Sequence, residues 1–155
     1  MSNAALVLRG GRVVDPKQGV DRPADLVIRN GRVAELLAPG APAGNLETLD
    51  VKGLWVMPGF VDLRCLLEDD ADLLAALQGG YTTLVCSPES EVLRSPWVKV
   101  LRAAPLTKSV DGEELGEVPD GAVCLSNGMR PIARGGLMRR ALQYTRPLKI
   151  PVMVH

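Results

Sequence analysis

Leu54-Trp-Val-Met-Pro-Gly-Phe-Val-Asp-Leu-Arg-Cys-Leu-Leu-Glu68 decides how the chain is to be read. It begins as a short apolar strand, breaks at Pro58-Gly59 and resumes as a second apolar strand from Phe60 to Leu67. Proline removes a backbone donor and glycine frees the backbone, so the pair marks a change of direction. On the N-terminal side the pattern is of short strands: Ala5–Arg9, Arg12–Val14, Asp25–Arg29, Arg32–Leu37 and Leu46–Val51. Gly10-Gly11 and Asn30-Gly31 read as turns between them, and Asn-Gly between apolar runs is a strong hairpin signal. Gly40–Gly44, with Pro39 and Pro42 nearby, reads as a loop.

On the C-terminal side strands alternate with helical spacing. Asp70–Gln78 places Leu73, Leu74 and Leu77 on one helical face and ends at Gly79-Gly80. Tyr81–Cys86 reads as a strand, Glu91–Lys99 as a helix interrupted by Pro96, and Val100–Leu106 and Ala122–Leu125 as strands. Gly136–Arg146 is a helix and Ile150–Val154 a last strand. Strand, helix and strand in this order predict parallel βαβ units, hence an α/β fold. The division expected is a small β-sandwich-like domain over residues 1–53 and a (β/α) unit over 54–155.

The chain has 155 residues, a formal net charge of +0, 46% hydrophobic and 23% charged residues. This is a globular composition with no electrostatic reason to expect nucleic acid or an anionic membrane. No apolar run approaches the roughly 18–20 residues of a membrane helix, and the N-terminus has no basic stretch typical of a secretory signal. Cys65, Cys86 and Cys124 form no CxxC pair and each sits in an apolar run, so they read as buried free thiols of a cytoplasmic protein.

Val-Met-Pro-Gly-Phe-Val-Asp-Leu resembles the start of the first barrel strand of the amidohydrolases, and most closely of the dihydroorotases. Gly79-Gly-Tyr-Thr-Thr-Leu-Val-Cys-Ser-Pro88 is similar to their second strand, usually Gly-Gly-Phe-Thr-Thr-Val-x-x-Met-Pro-Asn-Thr. Leu106-Thr-Lys-Ser-Val-Asp-Gly-Glu-Glu-Leu115, Gly136-Leu-Met-Arg-Arg-Ala-Leu-Gln-Tyr144 and Ile150-Pro-Val-Met-Val-His155 are similar to the third-strand exit, the fourth helix and the fifth strand. The resemblance implies a partial (β/α)₈ barrel of roughly five strands, because a whole one needs about 250 residues. It also implies a preceding small β-domain that the family completes with strands from its far C-terminus, and an N-terminal part of a longer polypeptide.

In the family Asp-Leu is followed by His-x-His-x-Arg, two zinc ligands and a substrate-carboxylate clamp. Here Arg64 stands at the first histidine, Leu66 at the second and Glu68 at the arginine. Where related dihydroorotases carry Asp-Asp-Gly, this chain has Ser126-Asn127-Gly128, so Ser126 or Asn127 replaces the bridging carboxylate. Glu89 replaces the asparagine of the Met-Pro-Asn-Thr turn. His155, the one histidine of the chain, keeps a family ligand position. Guanidinium stays protonated and leucine has no lone pair. A catalytic zinc takes three protein ligands, so neither zinc nor another cofactor is expected, and Arg64 is expected to pair with Glu68 or Asp62. Asp69, Asp70 and Asp72 read as an acidic first helical turn. Arg139-Arg140 reads as a solvated helix face.

These replacements lead to the expectation of a dihydroorotase-like pseudoenzyme of pyrimidine biosynthesis. Its implied partner is aspartate carbamoyltransferase, which inactive dihydroorotase-like chains support, or a second copy of itself. The alternatives are a metal-dependent cyclic-amide hydrolase with atypical ligands, and a small-carboxylate binding module using Arg64. An open set of barrel strands leaves apolar faces wet, at about 25 cal/mol per Å². The isolated chain is therefore expected to bind dyes that report exposed apolar surface, or to form oligomers. A monodisperse monomer that binds no dye and melts sharply would contradict this expectation.

Overall fold

The computed structural model describes residues 5–91 and 93–154. It divides into two compact units, Met1–Pro58 and Gly59–His155.

The first unit is one five-stranded mixed sheet. Its strands are β1 (Ala5–Asp15), β2 (Val20–Arg29), β3 (Arg32–Leu37), β4 (Glu47–Asp50) and β5 (Trp55–Val56). β1 is central. β2 pairs with it antiparallel and carries β3 on its far side, while β4 and β5 pair with β1 in parallel. The Asn30-Gly31 hairpin forms as expected. Both residues have positive φ, 53° and 70°, which suits a two-residue turn between twisted strands.

Two expectations change here. Gly10-Gly11 is not a turn between two strands but a bulge inside β1, where the register slips between Leu8 and Gly11. Leu54–Val56 does not open the second unit, because Arg12 and Val13 pair with Trp55 and Val56. The compact units therefore part at Pro58, later than residue 53.

The bulge has a local cause. Asp25, on β2, is 1% exposed. Its carboxylate accepts from the Gly10 amide at 3.0 Å, the Gly40 amide at 2.9 Å and Arg9 Nη1 at 2.7 Å. The bulge turns the Gly10 N–H toward it, and the loop after β3 supplies the Gly40 N–H. Burial by itself would push the Asp25 carboxyl up. The Gly10 and Gly40 amides and the Arg9 guanidinium outweigh that, and hold it below the usual carboxylate range.

Among its described residues the second unit carries parallel strands and two α-helices. β6 (Phe60–Cys65), β7 (Tyr81–Cys86) and β8 (Lys99–Arg102) form one run. β9 (Ala104–Pro105), β10 (Leu125–Ser126) and β11 (Val152–Met153) form another. Only Ala103 separates β8 from β9. Its amide bonds to the Cys86 carbonyl at 2.9 Å, and the next amide, of Ala104, bonds to Cys124 at 3.0 Å. One extended segment thus passes from one neighbour to the next, and the strands follow each other in chain order.

α1 (Asp70–Gln78) follows β6 and α2 (Gly135–Thr145) follows β10. The acidic start of α1 is a capping box: Asp69 accepts from the Ala71 amide and Asp72 from the Asp69 amide. Leu73 packs with Leu67, Leu84, Cys86 and Val98, while Ala141 of α2 packs with Ala104, Leu106 and Leu125. Gly59 lies so close to β7 that a Cβ would sit 2.1 Å from Thr82 Oγ1, which explains why glycine follows Pro58.

The helix expected over Glu91–Lys99 is absent among the described residues; Val92 lies outside them. Ser95 Oγ accepts from the Trp97 and Val98 amides, both at 3.1 Å, and Pro96 cannot donate, so a side-chain turn replaces helical pairing. The strand expected over Ala122–Leu125 is shorter and later, at Leu125–Ser126. A 3₁₀ turn at Lys108–Val110 was not anticipated.

Replacing Asp25 by Asn should destabilise the chain by about 1–3 kcal/mol at neutral pH, because a buried carboxylate loses its charge-assisted bonds to Gly10, Gly40 and the part-exposed Arg9. The folded carboxyl titrates below its unfolded value of about 3.9, so its contribution is complete above that pH and disappears as pH falls further. Denaturant melts of wild type and D25N from pH 7 down to 3 should show the difference shrinking below about pH 4. A difference independent of pH would contradict the assignment.

Candidate functional site

The C-terminal ends of the parallel strands bring several of the candidate residues together. Leu66 and Glu68 follow β6, Glu89 follows β7, and Ser126 and Asn127 lie at the end of β10. Leu66, Leu67, Glu68, Glu89, Glu91 and Met129 line an open cleft of about 470 Å³. Backbone bonds tie the β6 and β7 exits together: Ser87 N to Cys65 O at 2.8 Å and Glu91 N to Leu67 O at 3.0 Å. Ser90 Oγ accepts from the Leu67 amide at 3.1 Å.

Glu89 is more than an added charge at this cleft. Its Oε2 accepts from the Met129 amide at 3.1 Å and from Ser87 Oγ at 3.4 Å. It therefore fastens the β7 exit to the β10 exit. Gly128 makes room for it: φ is 58°, and a Cβ there would lie 2.4 Å from Oε2. Arg64 Nη2 reaches Met129 Sδ at 3.1 Å, on the same loop. Asp62 does engage residue 64, but through the backbone amide, at 2.9 Å.

Ser126 and Asn127 are buried and engaged. The Thr107 hydroxyl donates to Asn127 Oδ1 and accepts from the Gly112 amide. Asn127 Nδ2 donates to the Arg130 carbonyl at 2.9 Å. Ser126 Oγ accepts from the Gly128 amide at 3.1 Å. Thr107 is 0% exposed, and sequence reasoning missed its part. The signal available was its position just past an apolar strand, where a hydroxyl must find partners once buried. Beside it, Ser109 and Val110 have φ of 52° and 56°. For a β-branched residue such as Val110 that conformation is costly. It is fixed in place by burial and by the Val110 amide bond to Thr107 O at 3.1 Å.

Arg64 and Leu66 cannot ligate, and the Ser126 and Asn127 side chains already have partners. Among the described residues no three His, Cys, Asp or Glu side chains converge on a point that could hold a metal ion. His155 lies outside the described residues.

No protein-family model matches the chain. Curated relatives do. The dihydroorotase of Trichlorobacter lovleyi is 32% identical across 97% of this chain, and that of Anaeromyxobacter dehalogenans 34% across the same share. The chain belongs to the dihydroorotase-like amidohydrolases. It spans 42% and 41% of the length of these two relatives. The first alignment runs over 178 residues, more than the 155 of this chain, so the relative carries positions in this stretch that are missing here.

Solved structures agree on the fold. The L-hydantoinase of Arthrobacter aurescens superposes with a TM-score of 0.73 at 19% identity, over 97% of this chain and 40% of that one. A dihydroorotase structure superposes at 0.65 with 16% identity, over 98% and 51%. The dihydroorotase-like chain thus keeps the family's strand order while filling the strand ends with internal hydrogen bonds.

Gly128→Ala should cost about 1–2 kcal/mol from its left-handed backbone alone, and more from overlap with Glu89. In a Glu89→Ala background the steric part should vanish, so the double mutant should be more stable than the sum of the single effects allows. Denaturant melts of the four proteins measure this coupling. Strict additivity would show that Glu89 and Gly128 do not meet.

Proposed function

We propose that this dihydroorotase-like chain has lost hydrolase chemistry and acts as a structural partner in pyrimidine biosynthesis, supporting aspartate carbamoyltransferase in the cytoplasm. One observation carries the reading: of Ser126 and Asn127, either of which stands for the family's bridging carboxylate, both are buried, and Asn127 has Thr107 and Arg130 as its partners. A position used in this way serves the fold. We read the sequential parallel strands of the second unit as the first part of an amidohydrolase (β/α)₈ barrel, whose functional groups collect at the C-terminal strand ends. Among the described residues no helix is long and apolar enough to cross a membrane.

The chemical argument is one of magnitude. Zinc lowers the pKa of its bound water from 15.7 to about 7, worth roughly 12 kcal/mol of deprotonation at about 1.4 kcal/mol per unit. Arg64 sets a fixed positive charge where a dication would bind. At about 4 Å two unit charges repel by about 4 kcal/mol at an effective dielectric of 20, and the charge on a zinc ion is larger. Glu68, at the place of the family's carboxylate clamp, repels an anionic substrate.

The purified protein should carry no stoichiometric zinc by elemental analysis and should not interconvert carbamoyl aspartate and dihydroorotate. Co-expressed with aspartate carbamoyltransferase of the same organism, it should co-elute at micromolar concentration. An equivalent of zinc that disappears on His155→Ala would overturn the loss of the metal site. Absence of co-elution would overturn the structural role.

A further inference from the structure

Cys65 and Cys86 are far apart in the sequence, yet β6 and β7 bring them into register as direct partners. Their Sγ atoms are 3.6 Å apart and both thiols are free. Neighbouring strands lie about 4.8 Å apart, inside the 4.4–6.8 Å range of Cα separations that a disulfide spans. A disulfide is about 2.05 Å long, so forming it brings the two sulfurs, now 3.6 Å apart, about 1.5 Å nearer. Cys124 packs in a different cluster, with Val85 and Ala103.

We propose that Cys65 and Cys86 are a redox-active pair that forms a reversible disulfide across β6 and β7 on reaction with a small-molecule disulfide. Cys65 is the entry point, because it is half-buried while Cys86 is 1% exposed. The Cys65 thiolate attacks one sulfur of the reagent, giving a mixed disulfide and expelling one thiolate. Cys86 then attacks Cys65 Sγ and expels the second. The protein loses two electrons and two protons, and the reagent gains them as two thiols.

Burial pushes the Cys65 thiol up to about 12 and raises Cys86 as well, so the reaction is slow at neutral pH and quickens as pH rises. The link has a local consequence. The Cys65 carbonyl already accepts from Ser87 N, so the bond would lock together the β6 and β7 exits that line the cleft with Leu66, Glu68 and Glu89.

The test treats the native, reduced chain with excess oxidised glutathione at pH 8 and at pH 9. The three thiols should fall to one, the intact mass should drop by two hydrogens, and dithiothreitol should reverse both. Cleavage before aspartates separates the three cysteines, since Asp69, Asp70 and Asp72 lie between Cys65 and Cys86 and Asp111 and Asp120 between Cys86 and Cys124. The linked peptides should contain Cys65 and Cys86. Cys124→Ser should leave the reaction intact, while Cys86→Ser should stop it at a glutathione adduct on Cys65. Three thiols persisting in the native wild type, a lasting adduct on wild-type Cys65, or a link through Cys124 or between chains would overturn the proposal.

Discussion

The Asn127 side chain is buried between the Thr107 hydroxyl and the Arg130 carbonyl, and the joining of the β9 and β10 exits depends on it. A buried amide left unpaired costs about 1–3 kcal/mol. Its partners therefore cannot be withdrawn to bind something else without loss. Thr107 in turn accepts from Gly112, which holds the chain after β9 against the end of β10. Beside this pair, which joins the exits of β9 and β10, the Glu89 carboxylate on the Met129 amide joins the exits of β7 and β10. The two bonds turn a set of strand ends into a braced rim.

The first unit uses the same physics at another place. Asp25 is buried and carries a charge, which is tolerable because two backbone amides and one guanidinium converge on it. One of those amides reaches it only because β1 is bulged at Gly10. The other belongs to the loop after β3 and is held in place by the same carboxylate. Burial and pairing are mutually dependent here, as they are at Asn127. In neither case does the polar group mark a binding site by itself.

The second unit has α-helices only after β6 and β10 among the described residues. The β7–β8 crossover is made by a segment whose turn is set by Ser95 and Pro96. A parallel pair needs a crossover of about a dozen residues, and the described residues of this one contain no α-helix. Some of the apolar face that a helix would cover is instead met by Leu67 and Val98, which pack with Leu73 of α1.

Several features were legible in the sequence because they are local. The 3.6-residue spacing of Leu73, Leu74 and Leu77, closed by Gly79-Gly80, placed α1 at Asp70–Gln78. Asn30-Gly31 placed the β2–β3 hairpin, whereas the division expected after residue 53 falls later, at Pro58, because Trp55 and Val56 pair with β1. Arg64, Leu66 and Glu68 could be read from the sequence as departures from the family's His-x-His-x-Arg pattern, because that comparison needs only residue identity. What local pattern could not convey was partnership between distant residues. Gly10 became a bulge because Asp25 needs its amide, and Trp55-Val56 joined β1 through register. Glu89 became a brace because Gly128 leaves it room, and Cys65 met Cys86 because two parallel strands align. Each of these depends on burial and on which strand lies beside which, quantities that exist only once the chain has folded.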